Sequence, residues 1–253
     1  MTPDDYVLSV IARYRVQTGP GSAAYQAGQL LYPVIALWAG RYLLEVTYSG
    51  SYAKGTAVRG STDVDLFISV APDTPGTLKD LYEHLLAFLH AKHLSPGPQN
   101  VSIRIPYRGL SVDLVPGRKQ RGNTRDHSLY RHRAGCWTKT NVSKHVSFVR
   151  NSMRLNEIRA LKVWRQLHGL DFPSFYLELA VINALSGRRT HQLAANVLAA
   201  LQYIEDRLTT ARLVDPANSN NIVSDDLNVA EKRRAADQAA ASLGKPSWRH
   251  IIW

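Results

Sequence analysis

Two carboxylates stand two residues apart in Asp63-Val64-Asp65-Leu66-Phe67-Ile68, a run that reads as a strand. Side chains two apart on a strand share a face. Asp63 and Asp65 are therefore expected to point the same way and to offer hard oxygen ligands to Mg²⁺ and its attached phosphates. A third carboxylate, Asp113, lies in Ser111-Val112-Asp113-Leu114-Val115, a second apolar run with strand character. Asp is disfavoured in strand interiors, and a buried charge needs a partner or a metal. Read singly, each could be a strand-end or salt-bridged surface residue. Together they suit two divalent ions about 3.5–4 Å apart. Upstream, Gly50-Ser51 interrupts the chain after another apolar run. Gly50 allows close backbone approach, a following helix start offers free N–H groups to an anion, and the Ser51 hydroxyl can add a hydrogen bond. The segment has no Gly-Lys-Ser/Thr ending and no Gly-x-Gly-x-x-Gly, so it is neither a P-loop nor a dinucleotide fingerprint. A phosphate-holding turn beside a carboxylate metal site is the apparatus of nucleotidyl transfer.

The elements that must position these residues follow from periodicity. Apolar spacing predicts helices over Pro3 to Val16 and Ser22 to Arg41, the second capped by Ser22 and kinked or split by Pro33. Leu43 to Ser49 and Asp63 to Val70 read as strands, with a short helix toward Lys54 between them and an amphipathic helix over Thr77 to His93 after them. Val101 to Tyr107 and Leu110 to Val115 form a hairpin about Arg108-Gly109. Gly117 to Thr140 is polar and basic without clear periodicity. From there the pattern is wholly helical: Val142 to Ser152, Arg154 to His168, Pro173 to Leu185, His191 to Leu208, and Asp226 to Leu243 with Asp226 as cap. The fold class is α+β. Residues 1–140 form a core of N-terminal helices and mixed sheet, 141–253 form a helical domain, and a ligand cleft between them is the expected site.

With 253 residues, 45% hydrophobic and 20% charged, the chain has an ordinary globular composition. No apolar run approaches the roughly 18 residues of a membrane span. The acidic start Met1-Thr2-Pro3-Asp4-Asp5 is unlike a signal peptide. A lone Cys136 excludes an intrachain disulfide, and a reducing cytoplasm fits best. His127, His132, Cys136 and His145 lack zinc-ligand spacing. The net charge of +11 favours polyanionic partners, whether nucleic acid, nucleotides or an acidic membrane surface. Arg118, Lys119, Arg121, Arg125, Arg131 and Arg133, with Tyr130 and Trp137 interleaved, make segment 118–133 either a nucleic-acid or dinucleotide surface or a solvated loop.

Gly-Ser, a spacer, Asp-x-Asp and a later strand Asp together resemble the DNA polymerase β-type nucleotidyltransferases. Leu161-Lys162-Val163-Trp164 and Pro173-Ser174-Phe175-Tyr176-Leu177-Glu178-Leu179 are similar to matching helices of oligoadenylate synthase, cyclic GMP–AMP synthase and the bacterial CD-NTases. Val112-Asp113-Leu114-Val115-Pro116, Trp137-Thr138-Lys139-Thr140-Asn141 and Asp215-Pro216-Ala217-Asn218-Ser219-Asn220-Asn221 are similar to the bacterial group in particular. The resemblance implies a nucleotidyltransferase palm packed on a C-terminal helical domain and nucleoside triphosphates as substrates. It further implies Mg²⁺, with Mn²⁺ as an alternative, held by Asp63, Asp65 and Asp113. Lys162 would reach the triphosphate, Ser174 would bond a phosphate, and Phe175 would stack on a base. Each has a structural alternative: a solvated helix lysine, a helix cap and a core aromatic. The implied product is a cyclic or short linear oligonucleotide. Transfer to RNA, a protein or a small molecule, and a non-catalytic nucleotide- or RNA-binding module, are the rival readings.

Overall fold

The computed structural model describes residues 1–60 and 63–253. In chain order its elements are α1 (Pro3–Arg13), α2 (Ala23–Ala39), β1 (Leu43–Tyr48), α3 (Gly50–Lys54), β2 (Val64–Val70), α4 (Leu78–Ala91), β3 (Gly97–Pro98), β4 (Ile103–Tyr107), β5 (Leu110–Lys119), β6 (His127–Arg131), β7 (Cys136–Thr140), α5 (Val142–Asn151), α6 (Leu155–Leu167), α7 (Ser174–Ala184), α8 (Leu193–Arg207), β8 (Val214–Asp215), β9 (Asn218–Ile222) and α9 (Val229–Leu243). They group into two compact units. One comprises Gln17–Ala53 and Thr62–Val146; the other comprises Met1–Val16, Lys54–Ser61 and Ser147–Trp253. The division differs from the expected break near residue 140, because α1 joins the helical unit. Val7 and Val10 of α1 are fully buried in the same core as Ile158 and Leu161 of α6 and Val197 of α8.

The first unit is built on a mixed seven-stranded sheet in the order β1-β2-β5-β4-β3, with β6 and β7 continuing from β5. β2 and β5 are parallel; β1, β4 and β6 join them antiparallel. Arg108 and Gly109 both have positive φ, the backbone that a tight two-residue hairpin demands. Val64, Leu66 and Ile68 of β2 alternate onto one face. There they pack with Leu31 and Ile35 of α2, Leu85 and Leu89 of α4, and Val112 and Leu114 of β5. Asp65, Phe67 and Ser69 take the opposite face. Thr77 caps α4 with a full capping box, its hydroxyl accepting from the Asp80 amide.

Four sequence expectations are corrected. Pro33 does not split α2, which runs unbroken through it. The carbonyl that Pro33 leaves without an amide belongs to Gln29, and both residues are exposed, so water can serve it. The stretch 117–140 is not a loop: β5 continues to Lys119 and β6–β7 form a hairpin. Its period-2 signal is carried by His127 and Leu129, which are buried, and a histidine does not register as apolar in a pattern count. The C-terminal half is not wholly helical, because β8 and β9 pair antiparallel about Pro216-Ala217. Finally, α9 is capped by Asn228 rather than Asp226, with Glu231 completing a capping box.

Candidate active site

The sheet register brings the carboxylates together. Parallel pairing sets Asp65 beside Asp113, and antiparallel pairing sets Arg104 of β4 on the other side of Asp113. Asp63 lies one residue before β2, at its mouth rather than inside the strand. Asp113 is 8% exposed, whereas Asp63 and Asp65 are half-buried.

Arg104 had no functional expectation, yet it organises this group. Its Nε donates to Asp113 Oδ1 at 2.9 Å and its Nη2 to Asp113 Oδ2 at 2.9 Å, a two-pronged grip. The same Nη2 also donates to Asp63 Oδ2. The bonds to Asp113 raise the Arg104 pKa above its ordinary value. At Asp63 burial dominates and raises the carboxyl pKa. Asp113 adds to the rise, and Arg104 only partly offsets it.

Gly50 is the position where glycine is required. Its φ is +54°, and a Cβ placed there would collide with the Asp65 carboxylate. The turn is anchored to the same strand residue, because the Ser49 amide donates to the Asp65 carbonyl at 2.8 Å. Ser51 follows in the first turn of α3. Turn and carboxylate are thus fitted to each other.

The three carboxylates form an all-oxygen anionic donor set, and its chemistry suits a hard divalent ion. Among the described residues no three His, Cys, Asp or Glu side chains are already grouped closely enough to hold a metal ion. Arg104 occupies the space between Asp63 and Asp113 and supplies the positive charge there.

The helical unit holds a second charged cluster, fully buried. Glu178 of α7 accepts from Lys162 Nζ at 2.7 Å, from Lys54 Nζ at 2.8 Å and from the Thr56 hydroxyl at 2.6 Å. Lys162 also donates to Thr56 Oγ1 at 3.0 Å. Lys162 is 1% exposed, so it is neither a solvated lysine nor an ammonium open to a triphosphate. Its charge is committed to Glu178. Burial would raise the Glu178 carboxyl, but Lys162 and Lys54 outweigh it and hold it down at about 2. Burial also lowers Lys162, which shares its one counter-charge with Lys54. Phe175 is half-buried, and Lys54 Nζ stands 4.2 Å from its ring centroid. Ser174 opens α7 with its hydroxyl accepting from Arg165 Nη1 at 3.2 Å.

The basic segment divides. Arg118 spends its guanidinium on the carbonyls of Pro75, Gly76 and Thr77, and Arg125 donates to Ser143. Trp137, on the outer strand of the hairpin, is 62% exposed. Among the described residues no helix is long and apolar enough to cross a membrane.

Residues 36–105, which carry the turn and two of the three carboxylates, match the nucleotidyltransferase domain family. That span holds Gly50, Ser51, Asp63, Asp65 and Arg104 and ends before Asp113. The fold is that of the CD-NTases. Over 96% of this chain and 90% of that one it superposes with Bradyrhizobium diazoefficiens CdnG in complex with GTP, at a TM-score of 0.78 and 14% identity. With CdnC of E. coli MS115-1, in its complex with HORMA-deltaN, the TM-score is 0.73 at 20% identity over 97% and 96% of the two chains. In sequence, the chain is 29% identical over 152 residues to the cyclic AMP-AMP-AMP synthase of Escherichia coli (strain MS 115-1). That alignment takes in 54% of this chain and about half of the relative, 47%.

Proposed function

We propose that this chain is a template-independent, Mg²⁺-dependent nucleotidyltransferase that joins nucleoside triphosphates into a cyclic or short linear oligonucleotide signal and releases pyrophosphate. The observation that carries the reading is the pairing of Asp65 with Asp113 on adjacent parallel strands, with Asp63 at the mouth and Gly50 packed against Asp65. When bound, divalent ions supply the charge that acidifies the attacking ribose hydroxyl and stabilises the departing pyrophosphate. Asp63 and Asp65 would hold them, and Asp113 would complete the ligand set on the nucleophile side. The backbone of Gly50 and Ser51 would bind the phosphates. Fixing the triphosphate against Asp65 aligns it for in-line attack, and in this chemistry positioning and charge stabilisation do most of the work. Phe175 is our candidate for stacking on a base, with Ser174 at the same helix start bonding a phosphate. Lys162 acts through Glu178 rather than on phosphate. The likeness to CdnG in complex with GTP and to a cyclic AMP-AMP-AMP synthase supports nucleotide substrates of this type.

The test is incubation of purified protein with labelled NTPs and Mg²⁺ or Mn²⁺, with products read by mass spectrometry before and after phosphatase. The wild type should yield phosphatase-resistant or oligomeric product with pyrophosphate, and Asp65→Asn should yield none. Product that forms only with an added RNA, protein or small-molecule acceptor would replace this reading with transfer to that acceptor. Equal output from Asp65→Asn would replace it with a binding role.

A further inference from the structure

Arg104 is a cation seated among carboxylates that the proposed reaction would use to hold metal. Its place is fixed twice over. The Arg108-Gly109 turn sets the β4–β5 register, which puts Arg104 directly across from Asp113. Its guanidinium then engages both oxygens of Asp113 and one of Asp63. One cation thereby neutralises two of the three carboxylates.

Without it, Asp63 and Asp113 would face each other as like charges, with Asp113 nearly sealed from water. Such a pair is costly unless a positive charge lies between them. A divalent ion shared by Asp63 and Asp113 would need that same place. The two contacts differ in how readily they yield. Side-chain exposure is 11% at Asp113 but 42% at Asp63, and 39% at Arg104 itself. The two hydrogen bonds to Asp113 are sheltered; the one to Asp63 is half in water, where ion pairs are weak and exchangeable. An ionised carboxylate has about four lone-pair positions, so Asp113 can keep Arg104 and still turn an unused one outward.

We propose that Arg104 is a built-in counter-cation of the metal site. In the resting protein it holds Asp63 and Asp113 convergent. On metal loading its Nη2 is displaced from Asp63 while its grip on Asp113 remains. Arg104 is thus a positioning residue, and it also sets a threshold: a bare divalent ion must compete with it, so the resting protein loads weakly. This inference rests on the metal-dependent reading above.

The experiment measures Mn²⁺ binding at pH 7.5 without nucleotide, by the electron paramagnetic resonance signal of free Mn²⁺, alongside thermal melts with and without Mn²⁺. The proteins are the wild type, Arg104→Gln, Arg104→Lys and Asp65→Asn. Removing a unit charge a few ångströms from the ion is worth about tenfold in affinity even at high effective dielectric. Arg104→Gln should therefore bind Mn²⁺ about tenfold more tightly, melt earlier without metal, and gain more in Tm from Mn²⁺ than the wild type. Arg104→Lys, which keeps the charge but not the fork, should stay near wild-type affinity. Arg104→Gln binding Mn²⁺ equally or more weakly would overturn the counter-cation role. So would an Arg104→Lys as tight as Arg104→Gln. Failure of the underlying reading has a different signature: undiminished Mn²⁺ binding in Asp65→Asn, or no Mn²⁺ binding by the wild type or any variant. If Arg104→Gln does not fold, Arg104→Lys decides through its melts. A Mn²⁺ gain larger than the wild type's means that the fork, not the charge, opposes the metal, and overturns the proposal; an equal gain supports it.

Discussion

Replacing Glu178 by Gln isolates the energetics of the buried charged cluster. The amide keeps the shape of the side chain but removes the only counter-charge that Lys54 and Lys162 have in this group, at 2.8 and 2.7 Å. Both ammonium groups lie in side chains less than a tenth exposed, so water cannot replace the lost partner. Breaking a buried ion pair by deleting one side costs about 3–5 kcal/mol. At about 2–4 °C per kcal/mol for a chain of this size, Tm should fall by about 6–20 °C. The pH dependence carries a second signature. The Glu178 pKa is depressed from 4.5 to about 2 in the folded protein. The stability it contributes is therefore complete above pH 4.5 and lost as the pH falls toward about 2. In that window the folded carboxylate stays ionised while the unfolded one takes up a proton. Urea midpoints of wild type and Glu178→Gln should differ by a constant amount from pH 7 to pH 5 and converge below pH 4.5. A triple variant, Lys54→Met with Lys162→Met and Glu178→Leu, should recover much of the loss, since the penalty is unpaired charge rather than lost contact area. A Glu178→Gln protein within about 1 kcal/mol of wild type at pH 7 would refute the reasoning.

Two further perturbations test the turn and a cap. Gly50→Ala forces a Cβ into the Asp65 carboxylate at a backbone φ of +54°. Pyrophosphate release should drop at least about a hundredfold, as for a displaced reacting group, while the circular dichroism spectrum stays native; near-normal turnover would show that the turn does not set Asp65. Asn228→Ala removes the side chain that accepts from the Glu231 amide at 3.0 Å. It should cost about 1 kcal/mol in urea denaturation without altering turnover, and a neutral result would show that α9 does not depend on its capping box.

Much of the first unit was legible because local and long-range signals agreed. The alternation Val64, Leu66, Ile68 gives a strand with one apolar face and Asp65 on the other, and β2 is that strand. Even Arg104 was within reach. A two-residue turn at Arg108-Gly109 pairs Tyr107 with Leu110, and counting back along both strands sets Arg104 opposite Asp113. The hairpin itself was evident; its register was the unread signal. Glu178 left a different trace, a carboxylate in a helix apolar on all sides, which announces a buried partner without naming it. Its partners, Lys54 and Thr56, stand over 120 residues away in sequence, and no periodicity reports such a pairing. The β6–β7 hairpin was hidden for a third reason. His127 is buried against Ser69 at 2.7 Å and against the Phe67 ring, with burial pushing its pKa down, so a residue counted as polar fills an apolar position.

The two charged clusters show how exposure decides what an ion pair can do. Arg104–Asp63 and Lys162–Glu178 are both cation–carboxylate contacts. The first joins side chains 39% and 42% exposed, the second side chains 2% and 0% exposed. A pair in water exchanges partners at a cost near that of a surface salt bridge, about 0–1 kcal/mol, and so can yield to an arriving ion. A sealed pair cannot, because each freed charge would lack both partner and solvent. The same chemistry therefore gives a replaceable counter-ion at the mouth of β2 and a permanent brace under α7. Exchanging the two environments would abolish both roles: an exposed Glu178 would brace nothing, and a sealed Arg104 would leave Asp63 no ligand for a metal.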